Sequence, residues 1–190
     1  MGQHEVRLTG SGGQGLILAG IILAEAALYD GLNVVQSQSY GPEARGGASK
    51  AEVIISDREI NYPKVDECDL MLALTQASCD KYIDTLRPKG ILVADKSITN
   101  IPKRDDITVY LIPILETAQK ELGKSMVSNI VALGGIYEIT KLVTRESLER
   151  AVFDRIPPGT EELNKKALEE GYNLIRNHKE ECYGDGCRSN

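Results

Sequence analysis

Apolar residues fall along this chain in runs of two lengths, separated by glycine, proline and charge. The short runs read as buried strands: Glu5 to Thr9, Asn33 to Ser37, Ala51 to Ile55, Leu70 to Leu74, Ile91 to Ala94 and Val109 to Ile112. The longer runs read as helices. Leu16 to Tyr29 is one, with alanines at 19, 24, 26 and 27 favouring it and Gly31 placed to cap its C-terminus. A second helix is predicted from about Gln76 to Leu86, after which Pro88-Lys89-Gly90 turns the chain into the strand at Ile91. Strands alternating with helices predict an α/β fold, Rossmann-like and three-layered, with a mostly parallel sheet covered on both faces.

The last third abandons that alternation. Met126 to Leu142 forms a helix that is apolar nearly all round, through Val127, Ile130, Val131, Leu133 and Ile136. Arg145 to Phe153 is a short helix, and Pro157-Pro158-Gly159 breaks the chain after it. Glu161 to Asn177 is amphipathic, with Leu163, Ala167, Leu168, Tyr172 and Ile175 on its apolar face. From Lys179 onward the residues are polar and glycine-containing. The expected organisation is one α/β domain over residues 1–178, its C-terminal third helical, followed by a polar, flexible tail at 179–190. Leu16 to Ala27 and Met126 to Leu142 are apolar on more than one face. Two readings stay open for them: burial beside the chain's own sheet, or contact with another subunit, including a self-dimer of the isolated chain.

Composition narrows the class of protein. A chain of 190 residues is long enough to bury roughly 70% of its unfolded surface without disulfides or metals. The net charge of -6 argues against a general nucleic-acid binder, which would carry a basic face. Met1 to Glu5 does not read as a signal peptide, and the apolar run from Leu16 stops at Glu25, short of the ~20 residues that cross a bilayer. A cytoplasmic protein without a membrane partner is expected. Cys68 and Cys79 sit in unrelated contexts, Cys182 and Cys187 lie in the polar tail, and His4 and His178 stand at opposite ends of the chain. That spacing is not a zinc site, and no ferredoxin-type cysteine run is present to hold an iron–sulfur cluster.

Two loops carry the chemistry. Gly10, Gly12 and Gly15 fit G-x-G-x-x-G, directly after a strand and opening a helix, where backbone N–H groups can approach an anion. A dinucleotide reading also wants a carboxylate at the end of the second strand to hold the ribose, and this chain offers Gln36, Ser37, Gln38 and Ser39 there. NAD is therefore not expected, and the Walker lysine pattern is missing too. Gln14 has two possible uses: its amide can donate to a phosphate or carboxylate, or it can cap the turn. The second loop is Ser39-Tyr40-Gly41-Pro42-Glu43-Ala44-Arg45-Gly46-Gly47. Arg45 presents a planar fork for a carboxylate or phosphate, Gly46 and Gly47 let backbone approach the same anion, and Glu43 can orient Arg45 or meet a partner's basic residue. No nucleophile elbow and no Cys–His pair accompanies these loops, so no catalytic residue is assigned. Gly184-Asp185-Gly186 imitates the opening of a thiamine diphosphate motif, but only four residues follow it.

Together, Gly10 to Gly15, then Ala19-Gly20 and Leu23-Ala24, then Ser39 to Ser49 resemble the gamma subunit of 2-oxoacid:ferredoxin oxidoreductases. The match is strong over about residues 6 to 56. The resemblance implies a non-autonomous subunit of a complex that converts a 2-oxoacid, coenzyme A and oxidised ferredoxin into acyl-CoA, carbon dioxide and reduced ferredoxin. It implies that thiamine diphosphate, Mg and (4Fe–4S) clusters reside in partner subunits: alpha and beta chains and a ferredoxin-like delta chain. Coenzyme A is then a co-substrate. Carried onto this sequence, Gly12, Gly13, Gln14 and Gly15 form the turn facing the partner or the coenzyme. Tyr40, Gly41, Glu43, Arg45, Gly46 and Gly47 belong to the loop reaching toward the active centre. The form of that loop resembles the 2-oxoglutarate and branched-chain branches more than the pyruvate branch, and 2-oxoglutarate is the expected substrate. Two other classes compete: a free-standing nucleotide- or phosphate-binding module, and a purely structural assembly subunit.

Overall fold

The computed structural model describes residues 2–38 and 48–178. Six strands form one sheet: β1 (His4–Ser11), β2 (Asn33–Gln38), β3 (Ala48–Ser56), β4 (Cys68–Ala73), β5 (Leu86–Asp95) and β6 (Thr108–Ile112). The helices are α1 (Leu16–Tyr29), α2 (Gln76–Tyr82), α3 (Ile114–Glu116), α4 (Ser128–Thr140), α5 (Arg145–Phe153) and α6 (Glu161–Arg176). The strand order is β2-β3-β1-β4-β5-β6. β1, β4, β5 and β6 run parallel, whereas β3 is antiparallel to both of its neighbours. The short link from β2 to β3 explains the exception. Residues 39–47 are too few for a parallel crossover, which takes a dozen or more, so the chain must return antiparallel.

The sheet divides two apolar layers. Val6, Leu8, Ala51, Val53, Leu70, Leu72 and Val93 face α1, α4, α5 and α6 in the larger core, while Ile54, Met71, Leu92 and Ala94 face α2 and the long connections in the smaller one. β1 thus reads as alternation, Val6 and Leu8 to one side, Glu5, Arg7 and Thr9 to the other, yet both sides are buried. Arg7 is 2% exposed and survives there because each of its three guanidinium nitrogens finds an acceptor. Its Nε donates to Glu52 Oε1 at 2.8 Å, one terminal nitrogen donates to the Thr85 hydroxyl, and the other donates to the carbonyls of Val65 and Asp66. Lys50 Nζ reaches the same Glu52 oxygen at 2.8 Å. An unpaired buried charge would cost several kcal/mol.

Several elements depart from the boundaries expected of them. The helix from Gln76 ends at Tyr82, and Ile83–Thr85 tightens into a 3₁₀ turn in which the Thr85 hydroxyl donates to Tyr82 O at 2.6 Å. Leu86 then already belongs to β5, paired with Cys68. The register shifts across Pro88-Lys89-Gly90, where Lys89 takes φ 65°, and pairing resumes at Leu70 with Ile91. The proline turn is therefore an irregularity inside a strand. Residues 114–121 were not expected to be helical, but α3 continues as a π-helical segment, Thr117–Glu121, that buries Ile114 and Ala118 completely. The apolar helix of the last third is shorter than Met126 to Leu142. A 3₁₀ turn, Ser125–Val127, precedes it, Met126 is 81% exposed, and Lys141 leaves the helix in the left-handed region. Every residue from Ser128 to Ile136 is buried, so α4 is a core helix of its own chain.

Candidate functional site

β1 ends at the head of the sheet, and the glycine turn is built there from its own side chains. Gln14 folds back so that its Oε1 accepts from the Ser11 N–H at 2.7 Å. The Gln14 carbonyl thus fastens the turn, and the side chain's Nε2 is not used in that contact. The contact also explains Gly10, because a Cβ at that position would stand 2.3 Å from the same oxygen. Gly13 (φ 88°) and Gly15 (φ 71°) take left-handed conformations that cost other L-residues about 1–2 kcal/mol. Gly12 and Gly13 are left exposed at the tip.

A second brace comes from the far end of the chain. Asn129, in the first turn of α4 and 3% exposed, donates from Nδ2 to Gly15 O at 3.2 Å, an oxygen that also accepts from Ala19 N at 2.9 Å. A Cβ on Gly15 would fall 2.7 Å from that Nδ2. Sequence reasoning did not single out Asn129 as a site residue. The available signal was an amide standing at the head of an apolar helix. α1 opens from Gly15 with no acidic residue in its first turn, so the helix's own side chains leave its first N–H groups and the positive end of its dipole without a countercharge.

The turn lies at a topological switch point. From β1 the chain leaves through α1 to one face of the sheet; from its parallel neighbour β4 it leaves through α2 to the other. Open α/β sheets bind ligands in the crevice that forms there. On the β4 side, Thr75 caps α2 by accepting from Ser78 N at 3.3 Å, and Gln76 Oε1 accepts from Thr99 N and Asn100 N at 3.1 and 3.0 Å, which fixes that wall.

Of the residues proposed from sequence, Gly12, Gly13, Gln14 and Gly15 form this turn. Tyr40, Gly41, Glu43, Arg45, Gly46 and Gly47 lie outside the described residues. The strands that flank them are described. β3 opens with Ala48 paired to Ser11, and Gln38 at the end of β2 pairs with Ala51, so both ends of segment 39–47 sit at the same end of the sheet as the glycine turn. The two cysteines described, Cys68 and Cys79, are buried in the smaller core. Burial pushes both thiols up to about 11, which makes them small hydrophobes and not nucleophiles or ready metal ligands.

A six-stranded α/β sheet with a braced glycine turn at its switch point and a helical third packed behind that turn defines a Rossmann-like subunit or module. Comparison with known proteins gives the family. The chain belongs to the family described as "Pyruvate ferredoxin/flavodoxin oxidoreductase", whose profile matches residues 5–174. It is 47% identical over 177 residues to the 2-oxoglutarate synthase subunit KorC of Methanocaldococcus jannaschii, an alignment covering 92% of this chain and 95% of that one. Among solved structures, the gamma subunit of a keto/oxoacid ferredoxin oxidoreductase from Geobacter sulfurreducens superposes with TM-score 0.85 at 47% identity, covering 93% of this chain and 98% of that one. The 2-oxoglutarate:ferredoxin oxidoreductase of Magnetococcus marinus, solved with 2-oxoglutarate, coenzyme A and succinyl-CoA bound, shares the fold at TM-score 0.86. Its identity is 23%, with 95% of this chain matching 32% of that longer one.

Proposed function

We propose that this chain is the gamma subunit of a 2-oxoglutarate:ferredoxin oxidoreductase and that its glycine turn receives the diphosphate of coenzyme A. The complex would convert 2-oxoglutarate, coenzyme A and two oxidised ferredoxins into succinyl-CoA, carbon dioxide, a proton and two reduced ferredoxins. Alpha and beta chains and a ferredoxin-like delta chain would complete it. Thiamine diphosphate with Mg, held by those partners, supplies the carbanion chemistry at the oxo carbon, and their (4Fe–4S) clusters carry the electrons. The part assigned to this chain is binding. One observation carries that assignment: the turn is locked from within by Gln14 and from behind by Asn129, while Gly12 and Gly13 stay exposed beside an α1 N-terminus whose first turn holds no acidic residue. Arg45 is proposed to add a charge-assisted contact from the adjoining segment.

The test is steady-state kinetics of the co-expressed complex. Arg45→Ala is expected to leave subunit recovery and kcat close to wild type and to raise the KM for coenzyme A roughly tenfold or more, the cost of one charge-assisted hydrogen bond. Unchanged kinetics in the intact complex would refute the coenzyme role, and loss of assembly together with activity would instead favour a bracing subunit. The 2-oxoacid is tested separately, by comparing kcat/KM for 2-oxoglutarate, 2-oxoisovalerate and pyruvate; a preference for pyruvate would overturn the substrate assignment.

A further inference from the structure

A second opening lies further along the same edge of the sheet, beyond the carboxyl ends of β5 and β6. It is a cavity of about 270 Å³ whose one wall is a face of α6, where Glu170, Asn173, Leu174 and Asn177 follow one another at i, i+3, i+4 and i+7. Lys96 and Pro113, just past the ends of β5 and β6, also line it. The frame is rigid. Lys96 N donates to Ile112 O at 2.9 Å, and the buried Asp95 carboxylate accepts from Ser97 N and Leu115 N at 2.9 and 2.8 Å. His178 lines one side, its ring centroid 5.7 Å from that of Tyr110.

What sets this cavity apart is its unspent polar chemistry. The side chains of Lys96, Glu170, Asn173 and Asn177 make no hydrogen bond or ion pair with the described residues, although the first two carry opposite charge and line the same space; Lys96 also acts at longer range on Glu116, which does not line the cavity. A gap bounded by a cation and an anion that do not meet suits a ligand bearing both charges. Leu174 and Pro113 add apolar surface for the rest of it. The volume falls just below the range of about 300–1,000 Å³ that holds drug-sized ligands, so a nucleotide is too large. We propose that this cleft binds a small zwitterion, an α-amino acid with an aliphatic side chain. Lys96 would meet its carboxylate, Glu170 its ammonium group, and the two amides would orient it. The proposal stands independently of the coenzyme reading.

The experiment is a titration of the full-length, isotope-labelled chain with L-leucine, followed by backbone NMR. Saturable shifts centred on Asn173, Leu174 and Asn177 are expected, with affinity about tenfold weaker or worse in Lys96→Met and in Glu170→Gln, since each removes a charge-assisted contact. Both side chains lie at the surface of the cleft, and an otherwise unchanged spectrum verifies that the variants fold. Isocaproate, which keeps only the carboxylate, and isoamylamine, which keeps only the amine, are expected to bind more weakly than leucine. No saturable shift up to about 10 mM, equal binding of either single-charge analogue, or unaltered affinity in both variants would each overturn the proposal.

Discussion

Single residues in this chain are chosen by the space around them. The clearest case is the crossing of α4 and α6, where Gly134 and Gly171 replace side chains with backbone contact. A Cβ on Gly171 would stand 2.2 Å from Val131 O and 2.8 Å from Gly134 Cα, and one on Gly134 would stand 2.5 Å from Leu168 O. Backbone on both sides cannot swing aside as a flexible side chain can, so relief requires the helices to separate. Gly171→Ala is therefore expected to destabilise the chain by about 1–3 kcal/mol, the usual range for overpacking, even though alanine is the better helix former. Urea unfolding of the isolated chain measures it, and an unchanged or higher midpoint would contradict the close crossing. The sequence showed a Gly134-Gly135 pair in an apolar helix but not what it touches. Arg7 and Asn129 were obscure for the same reason. A polar residue in an apolar run announces that it needs partners, whereas Glu52, Thr85 and Gly15, lying 45, 78 and 114 positions away, are brought to it only by the sheet.

At the scale of elements, α1 and α5 are joined through one carboxylate. Asp30, just past the end of α1, accepts from Thr144 N at 2.6 Å, from the Thr144 hydroxyl at 2.7 Å and from the Ser147 hydroxyl at 2.5 Å, while Thr144 itself caps α5 by accepting from Ser147 N. Partial burial alone would raise the Asp30 pKa, but the donations from Ser147 and Thr144 outweigh it and hold the carboxyl below its ordinary value. A lowered folded pKa gives stability that is fully present above the unfolded value of about 3.9 and is lost as pH falls through the folded one. Asp30→Asn is thus expected to cost about 1 kcal/mol at pH 7. Its penalty should shrink below about pH 4, as the wild-type carboxylate protonates. Unfolding midpoints of both proteins at neutral and acid pH decide it; a penalty independent of pH would mean the contacts are steric. Elements themselves were the most legible level. α1 and α5 have the bounds expected of them, and at α1 the alanine-rich run and Gly31 announce the end; the Thr144 cap of α5 was seen only in the structure. The segment at 114–121 was hidden, since a single i, i+4 pair, Ile114 and Ala118, gives too short a period to recognise.

For the molecule as a whole, the open question posed by the sequence was whether the apolar helices at Leu16 to Ala27 and Met126 to Leu142 pack beside the chain's own sheet or meet another subunit. For α4 the packing is with its own chain. α4 lies between the sheet and α6, its residues share the larger core with β1, β3 and β4, and Asn129 carries that attachment into the glycine turn. Fold class followed from alternating strands and helices, while the antiparallel insertion of β3 between β2 and β1 depends on a link length that periodicity does not register. With one core spanning the α/β part and the helical third, removing the latter would expose the apolar face of the sheet, so neither part should persist alone. The expected outcome is a single cooperative transition in urea, with far-UV circular dichroism and tyrosine fluorescence giving coincident curves. Asn129→Ala sharpens the test. It leaves Gly15 O its bond from Ala19 N, so the loss is limited to about 1 kcal/mol, the usual net value of one hydrogen bond. Because the amide joins the two parts, both probes should shift to lower urea together and remain superimposed. Curves that separate, with the helical signal outlasting the other, would show that the helical third folds on its own and that the brace behind the glycine turn is a contact between two independent units.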